Sequence, residues 1–194
     1  VCSSDLGDVR IVVSPARDWL AVAGLPEPLP RVARATITGT RLGGISERRC
    51  PRTSARPSAV TVGNHSEWLL FSSAGDPAAR RSTLSWFSPS GSQRLLDLDT
   101  GLDAVSDAVV GRDDDVLWAL VPKGVAAERP AGLWRIDAAL VEGRQVAVPV
   151  PVAALDGPTA LVSLPKGGVA VAHGTDPARI VRFPAPKPVT EAAP

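Results

Sequence analysis

Hydrophobic runs along this chain come in pairs. Residues 11–23, 60–72, 108–120 and 161–173 each read as an apolar run, a short polar turn and a second apolar run. Runs of this length around Gly, Pro, Asn and Asp predict β-hairpins, because turn residues supply backbone angles that a strand interior does not need. The second runs open at Trp19, Trp68, Val116 and Val169, with separations of 49, 48 and 53 residues. A second anchor repeats with the same step. Ile37, Trp86 and Trp134 lie 18 residues beyond Trp19, Trp68 and Val116, and Val181 lies 12 beyond Val169, in a fourth repeat with a shortened loop. These positions predict third strands, antiparallel to the second strands of their own repeats.

Fourth strands are expected where residues 93–98 and 144–148 follow polar turns at 88–92 and 138–143. The first repeat breaks the pattern. Its fourth strand would fall near residues 44–49, where Gly44, Glu47, Arg48 and Arg49 read as loop. The fourth repeat ends in a proline-rich segment, 184–194, that cannot supply a full ladder of donors. Four strands per unit at a period of about fifty residues is the signature of a propeller blade. The expected fold class is therefore all-β, a β-propeller of about four four-stranded blades with the last incomplete, forming an open arc. Blades are expected at residues 8–50, 58–99, 104–150 and 157–185, followed by a Pro-rich tail at 186–194. The free ends are expected to expose apolar faces built on Trp19 at one end and Val169, Val171 and Val181 at the other. The five tryptophans fall mostly at repeated strand positions and are expected to pack between blades.

The segment Val13-Ser14-Pro15-Ala16-Arg17-Asp18-Trp19-Leu20-Ala21-Val22-Ala23 resembles the inner hairpin of β-propellers in the lactonase-like, TolB-like and WD-repeat groups. The likeness covers most of residues 8–185 as a pattern and implies an architecture shared by several families. Two departures stand out: none of the four inner-hairpin turns carries Asp-Gly, and no third strand closes on a Trp-Asp pair.

Composition narrows function mainly by exclusion. With 44% hydrophobic and 21% charged residues the chain is globular in type. Its net charge of +1 lacks the broad basic footprint of a nucleic-acid binder. The most apolar stretch, residues 145–155, carries Pro149 and Pro151 and falls well short of the ~20 residues of a spanning helix. Two cysteines, Cys2 and Cys50, make neither a disulfide scaffold nor a zinc motif. No cofactor is expected. The opening Val-Cys-Ser-Ser-Asp-Leu resembles a translated sequencing-adapter remnant. A lipid-anchored mature end at Cys2 and an expression scar are the other readings, and all three set residues 1–6 apart from the fold.

His173 is the leading site candidate. It ends the second run of the fourth repeat, where Ala23, Ser72 and Leu120 hold the equivalent slots, and Asp176 and Arg179 stand beside it. Together the three are the expected ligand-binding residues, against a plainer reading of a solvated loop histidine near a turn aspartate. His65 falls in a hairpin turn on the opposite face and reads as a turn residue. Asp113, Asp114 and Asp115 lack the alternating spacing of a calcium loop. Asp18, Glu67 and Asp115 recur just before the second runs, which reads as turn capping. The basic stretch from Arg41 to Arg56 has no interleaved aromatic residues for base stacking, and Cys50 within it reads as a spectator thiol. No hydrolase, zincin or phosphate-loop motif occurs. The expected function is a non-catalytic module that binds a protein or small-molecule ligand at a propeller face, in a bacterial envelope or secreted protein. The alternative is a lactonase-like propeller hydrolase completed by further blades.

Overall fold

The computed structural model describes residues 10–14, 17, 19–23, 32–46, 57–74, 81–111, 116–124, 129–141 and 143–186. Cys2, Cys50, Asp18, Asp113 to Asp115, residues 1–6 and all of the basic stretch beyond Ser46 lie outside them.

Among the described residues fifteen strands form four antiparallel sheets, each a meander in chain order. Blade 1 holds β1 (Arg10–Val13), β2 (Trp19–Ala23), β3 (Val32–Thr38) and β4 (Arg41–Ser46). Blade 2 holds β5 (Pro57–Val62), β6 (Trp68–Ala74), β7 (Arg81–Phe87) and β8 (Arg94–Asp99). Blade 3 holds β9 (Asp107–Val110), β10 (Leu117–Val121), β11 (Gly132–Val141) and β12 (Arg144–Ala154). Blade 4 holds β13 (Ala160–Ser163), β14 (Val169–His173) and β15 (Arg179–Phe183). The first strands β1, β5, β9 and β13 contact one another in succession and line one central cavity, so the molecule is a four-bladed β-propeller.

The anchor residues take their expected strands. Trp19 and Trp68 open β2 and β6, while β10 begins one residue after Val116. Across the second and third strands, Leu69 faces Trp86, Ala119 faces Trp134, and Val171 faces Val181. The inner hairpins close by the same backbone bond in every blade, from Ser14 N to Trp19 O, Gly63 N to Glu67 O, Gly111 N to Val116 O and Leu164 N to Gly168 O.

Two strand expectations need correction. The first blade does have its outer strand: β4 pairs with β3 through a turn at Gly39 and Thr40, with Thr38 opposite Arg41 and Ile37 opposite Leu42. An outer strand needs little apolar surface of its own, so its loop-like composition does not prevent pairing. Residues 138–141 are likewise strand, since β11 runs on to Val141 and turns within two residues, Val141 pairing with Arg144. The prolines of the apolar stretch sit within β12, opposite Ile136 and Trp134. Proline is tolerated there because β12 is the outer strand of its sheet.

The second strands of blades 2 and 3 are apolar at consecutive positions because both faces of these blades are covered. In β6, Trp68 and Leu70 pack toward blade 1 while Leu69 and Phe71 pack toward blade 3. In β10, Leu117 and Ala119 face blade 2 while Trp118 and Leu120 face blade 4. Three cores thus fill the gaps between blades 1 and 2, 2 and 3, and 3 and 4. Among the described residues no core joins blade 4 to blade 1, and the large apolar side chains exposed on those blades are Ile11 (66%), Val13 (49%) and Leu42 on blade 1 and Val162 (56%) and Ile180 (76%) on blade 4. The expected end faces were therefore placed on the wrong side chains. Trp19, Val169 and Val171 are buried against the neighbouring blades, and the alternate positions of their sheets face outward.

Polar side chains tie the blades together. Between blades 2 and 3, the fully buried Ser82 Oγ donates to Asp103 O (2.6 Å) and accepts from Val105 N (3.0 Å). Thr100 Oγ1 donates to Ser82 O (2.7 Å). Asp107 accepts from Leu161 N of blade 4 (3.0 Å). Ser82→Ala leaves a buried amide and carbonyl without their partner, so it is expected to cost about 1–3 kcal/mol in urea unfolding. The half-buried pair of Ser85 with Asp97 (2.6 Å) is a milder control, and equal losses for Ser82→Ala and Ser85→Ala would remove the linker network from this account.

Candidate functional site

The three expected ligand-binding residues lie at one end of blade 4. His173 ends β14 directly opposite Arg179, the first residue of β15, and Asp176 lies in the turn between them. That turn is anchored by Gly174 N donating to Asp156 O (2.9 Å). His173 is half-buried, and its Nδ1 is shielded from solvent without a hydrogen-bond partner. Asp176 and Arg179 are exposed. No side-chain hydrogen bond or ion pair joins the three. The histidine is thus a partly shielded strand residue rather than a freely solvated loop residue.

Two cavities open at the other end of the blades, where the inner hairpins turn. The first lies on the central axis, about 190 Å³ in volume, with all four blades contributing. Val12 and Ser14 come from blade 1, Thr61 and Asn64 from blade 2, Val109 from blade 3 and Ser163 from blade 4. Arg17, exposed and at φ 58°, is its one charged group among the described residues.

The second is larger, about 290 Å³, and lies between blades 2 and 3. Its floor is the upper end of the core between these blades: Leu69, Leu84 and Leu98 on one side, Leu117 and Ile136 on the other. The half-buried Trp86 forms a wall, and His65, Glu67 and Asp137 supply its polar groups. The β5–β6 turn places two of these. Ser66 N donates to Gly63 O and Gly63 N to Glu67 O, both at 2.9 Å, with Ser66 in the left-handed region at φ 66°. Asn64 Nδ2 donates to Gly111 O of the next blade (3.0 Å), fixing the turn against blade 3.

Glu67 folds its carboxylate back over Gly63. A Cβ on Gly63 would fall onto Glu67 Oε1 and Cδ, so the glycine is what makes room for this conformation. Glu67 Oε2 is then shielded from solvent and has no hydrogen-bond partner among the described residues. Turn capping therefore describes the Glu67 backbone, whose carbonyl closes the hairpin, and not its side chain. Asp137 differs, since Arg135 donates to its Oδ2 at 2.6 Å.

His65 sits in its turn as expected but also lines this cavity. The cavity itself was missed in the sequence, because its walls come from residues 65 to 138 and meet only when two blades pack. The available signal was the recurring carboxylate position, at which Glu67 alone carries the longer side chain. Among the described residues no group of three His, Cys, Asp or Glu side chains is placed to hold a metal ion, and no helix is long and apolar enough to cross a membrane.

No protein-family profile matches this chain, and no curated protein is similar enough to count as a match. Among solved structures the chain is similar to "Kuenenia stuttgartiensis Hydrazine Synthase", at 11% identity over 95% of this chain and 68% of that chain, with a TM-score of 0.48.

Proposed function

We propose that this chain is a non-catalytic propeller module that binds a protein or a small-molecule ligand, in a bacterial envelope or secreted protein. One observation carries the binding reading: the cavity between blades 2 and 3 is concave, apolar on its floor, held between packed sheets and furnished with a few polar groups at one end, the usual make-up of a ligand site. The envelope or secreted setting is supported only by the resemblance of the inner hairpin to propellers of the lactonase-like and TolB-like groups.

A thermal-unfolding screen against small molecules tests the reading. A ligand present at a hundred times its Kd stabilises the folded state by about 2.7 kcal/mol, which raises Tm by roughly 5–11 °C in a chain of this size. Ala138→Trp blocks the cavity from its exposed rim without entering the core, and is expected to abolish the shift. A screen in which nothing moves Tm, or a shift that survives Ala138→Trp, defeats the assignment of this cavity.

A second reading, a lactonase-like hydrolase completed by further blades, is favoured by one feature. His173, whose Nδ1 is shielded and unpartnered, pairs with Arg179 across the two strands, with Asp176 in the turn between, and these three residues we propose as ligand contacts on the opposite face. Metal-dependent turnover of lactones or esters that disappears in His173→Ala would replace the binding-only reading with this one.

A further inference from the structure

We propose that the cavity between blades 2 and 3 takes a small hydrophobic amine, its ammonium group against Glu67 and its apolar body on the leucine floor beside Trp86. This rests on the preceding reading of that cavity as a ligand site and adds the chemical class of the ligand.

Shielding a carboxylate oxygen from water without a partner is unfavourable, and a cation bearing N–H donors relieves it most directly. Glu67 Oε2 is in that condition. The other carboxylate of the cavity, Asp137, is already neutralised by Arg135 at 2.6 Å. Among the described lining residues there is no lysine or arginine, and His65, the one remaining titratable group, is exposed on the turn. The uncompensated charge of the cavity is therefore negative and belongs to Glu67. An anionic ligand would meet repulsion there, and a strongly polar neutral one would lose hydration against Leu69, Leu84 and Leu117.

Position and shape agree with the charge. Gly63 lets the carboxylate lie back into the cavity end, and the Asn64 bond to Gly111 holds the turn that carries it. A ligand entering here meets Glu67 and the apolar floor together, and its ammonium reaches the shielded Oε2 as the carboxylate turns toward the cavity. Trp86 adds an aromatic wall, a favourable neighbour for both an aryl group and an ammonium. The volume, about 290 Å³, lies at the small end of ligand cavities and suits a single ring or a short alkyl chain with one amine.

Three probes of one shape separate the possibilities: 2-phenylethylamine as the cation, 2-phenylethanol as the neutral isostere and 3-phenylpropanoate as the anion. Binding to the full chain is measured by titration calorimetry, and the site is located by NMR shifts of the Trp86 indole and the Glu67 amide. The amine is expected to bind at least roughly tenfold tighter than the alcohol, as a charge-assisted hydrogen bond allows, and the carboxylate not at all. Glu67→Gln is expected to lower the amine to the level of the alcohol. Glu67→Asp keeps the charge but withdraws it by one methylene, so it is expected to retain the preference with weaker binding, which guards against a misfolded Gln variant. Equal binding of amine and alcohol, or a preference that survives Glu67→Gln, overturns the amine class while leaving the cavity a ligand site. If no probe shifts the Trp86 indole at millimolar concentration, the cavity holds water only, and both the amine proposal and the ligand-site reading fall.

Discussion

Trp68→Ala is expected to destabilise the protein by about 3–5 kcal/mol and to lower its Tm by about 6–20 °C. Trp68 has no solvent exposure and stacks on Trp19 with ring centroids 4.9 Å apart and planes 24° apart. The Arg34 guanidinium lies 4.2 Å from the Trp19 ring centroid, continuing the stack within blade 1. Trp68 Nε1 also donates to Pro89 O at 3.3 Å, joining the start of β6 to the turn after β7. Truncation therefore opens a large void in the core between blades 1 and 2 and removes an aromatic pair that links them. Trp86→Ala, at the half-buried edge of the next core, is expected to cost less than half as much. Urea unfolding followed by near-ultraviolet circular dichroism measures both. A loss of only about 1 kcal/mol for Trp68→Ala would mean that the two blades do not depend on this stack.

Gly132→Ala is expected to cost at least about 3 kcal/mol, a larger penalty than one methyl group ordinarily carries. Gly132 opens β11 at φ 145°, a region almost closed to other residues. Its added Cβ would fall onto the carbonyl oxygen of Ala153 and lie 2.9 Å from Leu155 N, both backbone atoms that cannot rotate away. The neighbouring bond from Leu155 N to Ala131 O (3.0 Å) fastens the end of β12 at this point, so a shift there disturbs the exit toward blade 4. Gly143→Ala is the comparison. Gly143 also has a positive φ, 74°, but nothing lies within 4 Å of its Cβ position, so only the backbone penalty of about 1–2 kcal/mol is expected. Equal losses in the two variants would show that close backbone approach at Gly132 adds nothing.

The second and third strands were the most legible part of the chain. Trp19, Trp68 and Val169 mark real strand starts because each opens a short run of apolar residues after a polar turn, and such runs stand out. The β4 strand was not legible. Leu42 within it is 65% exposed, so it carries little of the apolar pattern that marks a strand, and it exists because the backbone of β3 offers a partner. The length of β12 was hidden for a related reason, since its two prolines argue against a central strand but are compatible with an outer one.

The site divides in the same way. That His173 ends a strand beside Arg179 follows from the repeat, and the structure places it there. The orphaned oxygen of Glu67 does not follow from the repeat, because the same backbone position could have carried a solvated side chain. What decides it is the carboxylate lying over Gly63 while blade 3 closes the other side.

By itself the amino-acid sequence determined the number of meanders, the order of their strands and which strands are apolar at successive positions. These depend on local alternation, turn chemistry and spacing, all of which repeat along the chain. Tertiary structure alone decided which face of each blade meets which neighbour. A period of two separates the faces of a strand but does not name them, and so Trp19 and Val169 turned inward while Ile11, Val13, Val162 and Ile180 were left outside. It also decided where the cores stop short and leave a cavity, because that volume is a difference between the shapes of two blades, and no single segment of the chain contains it.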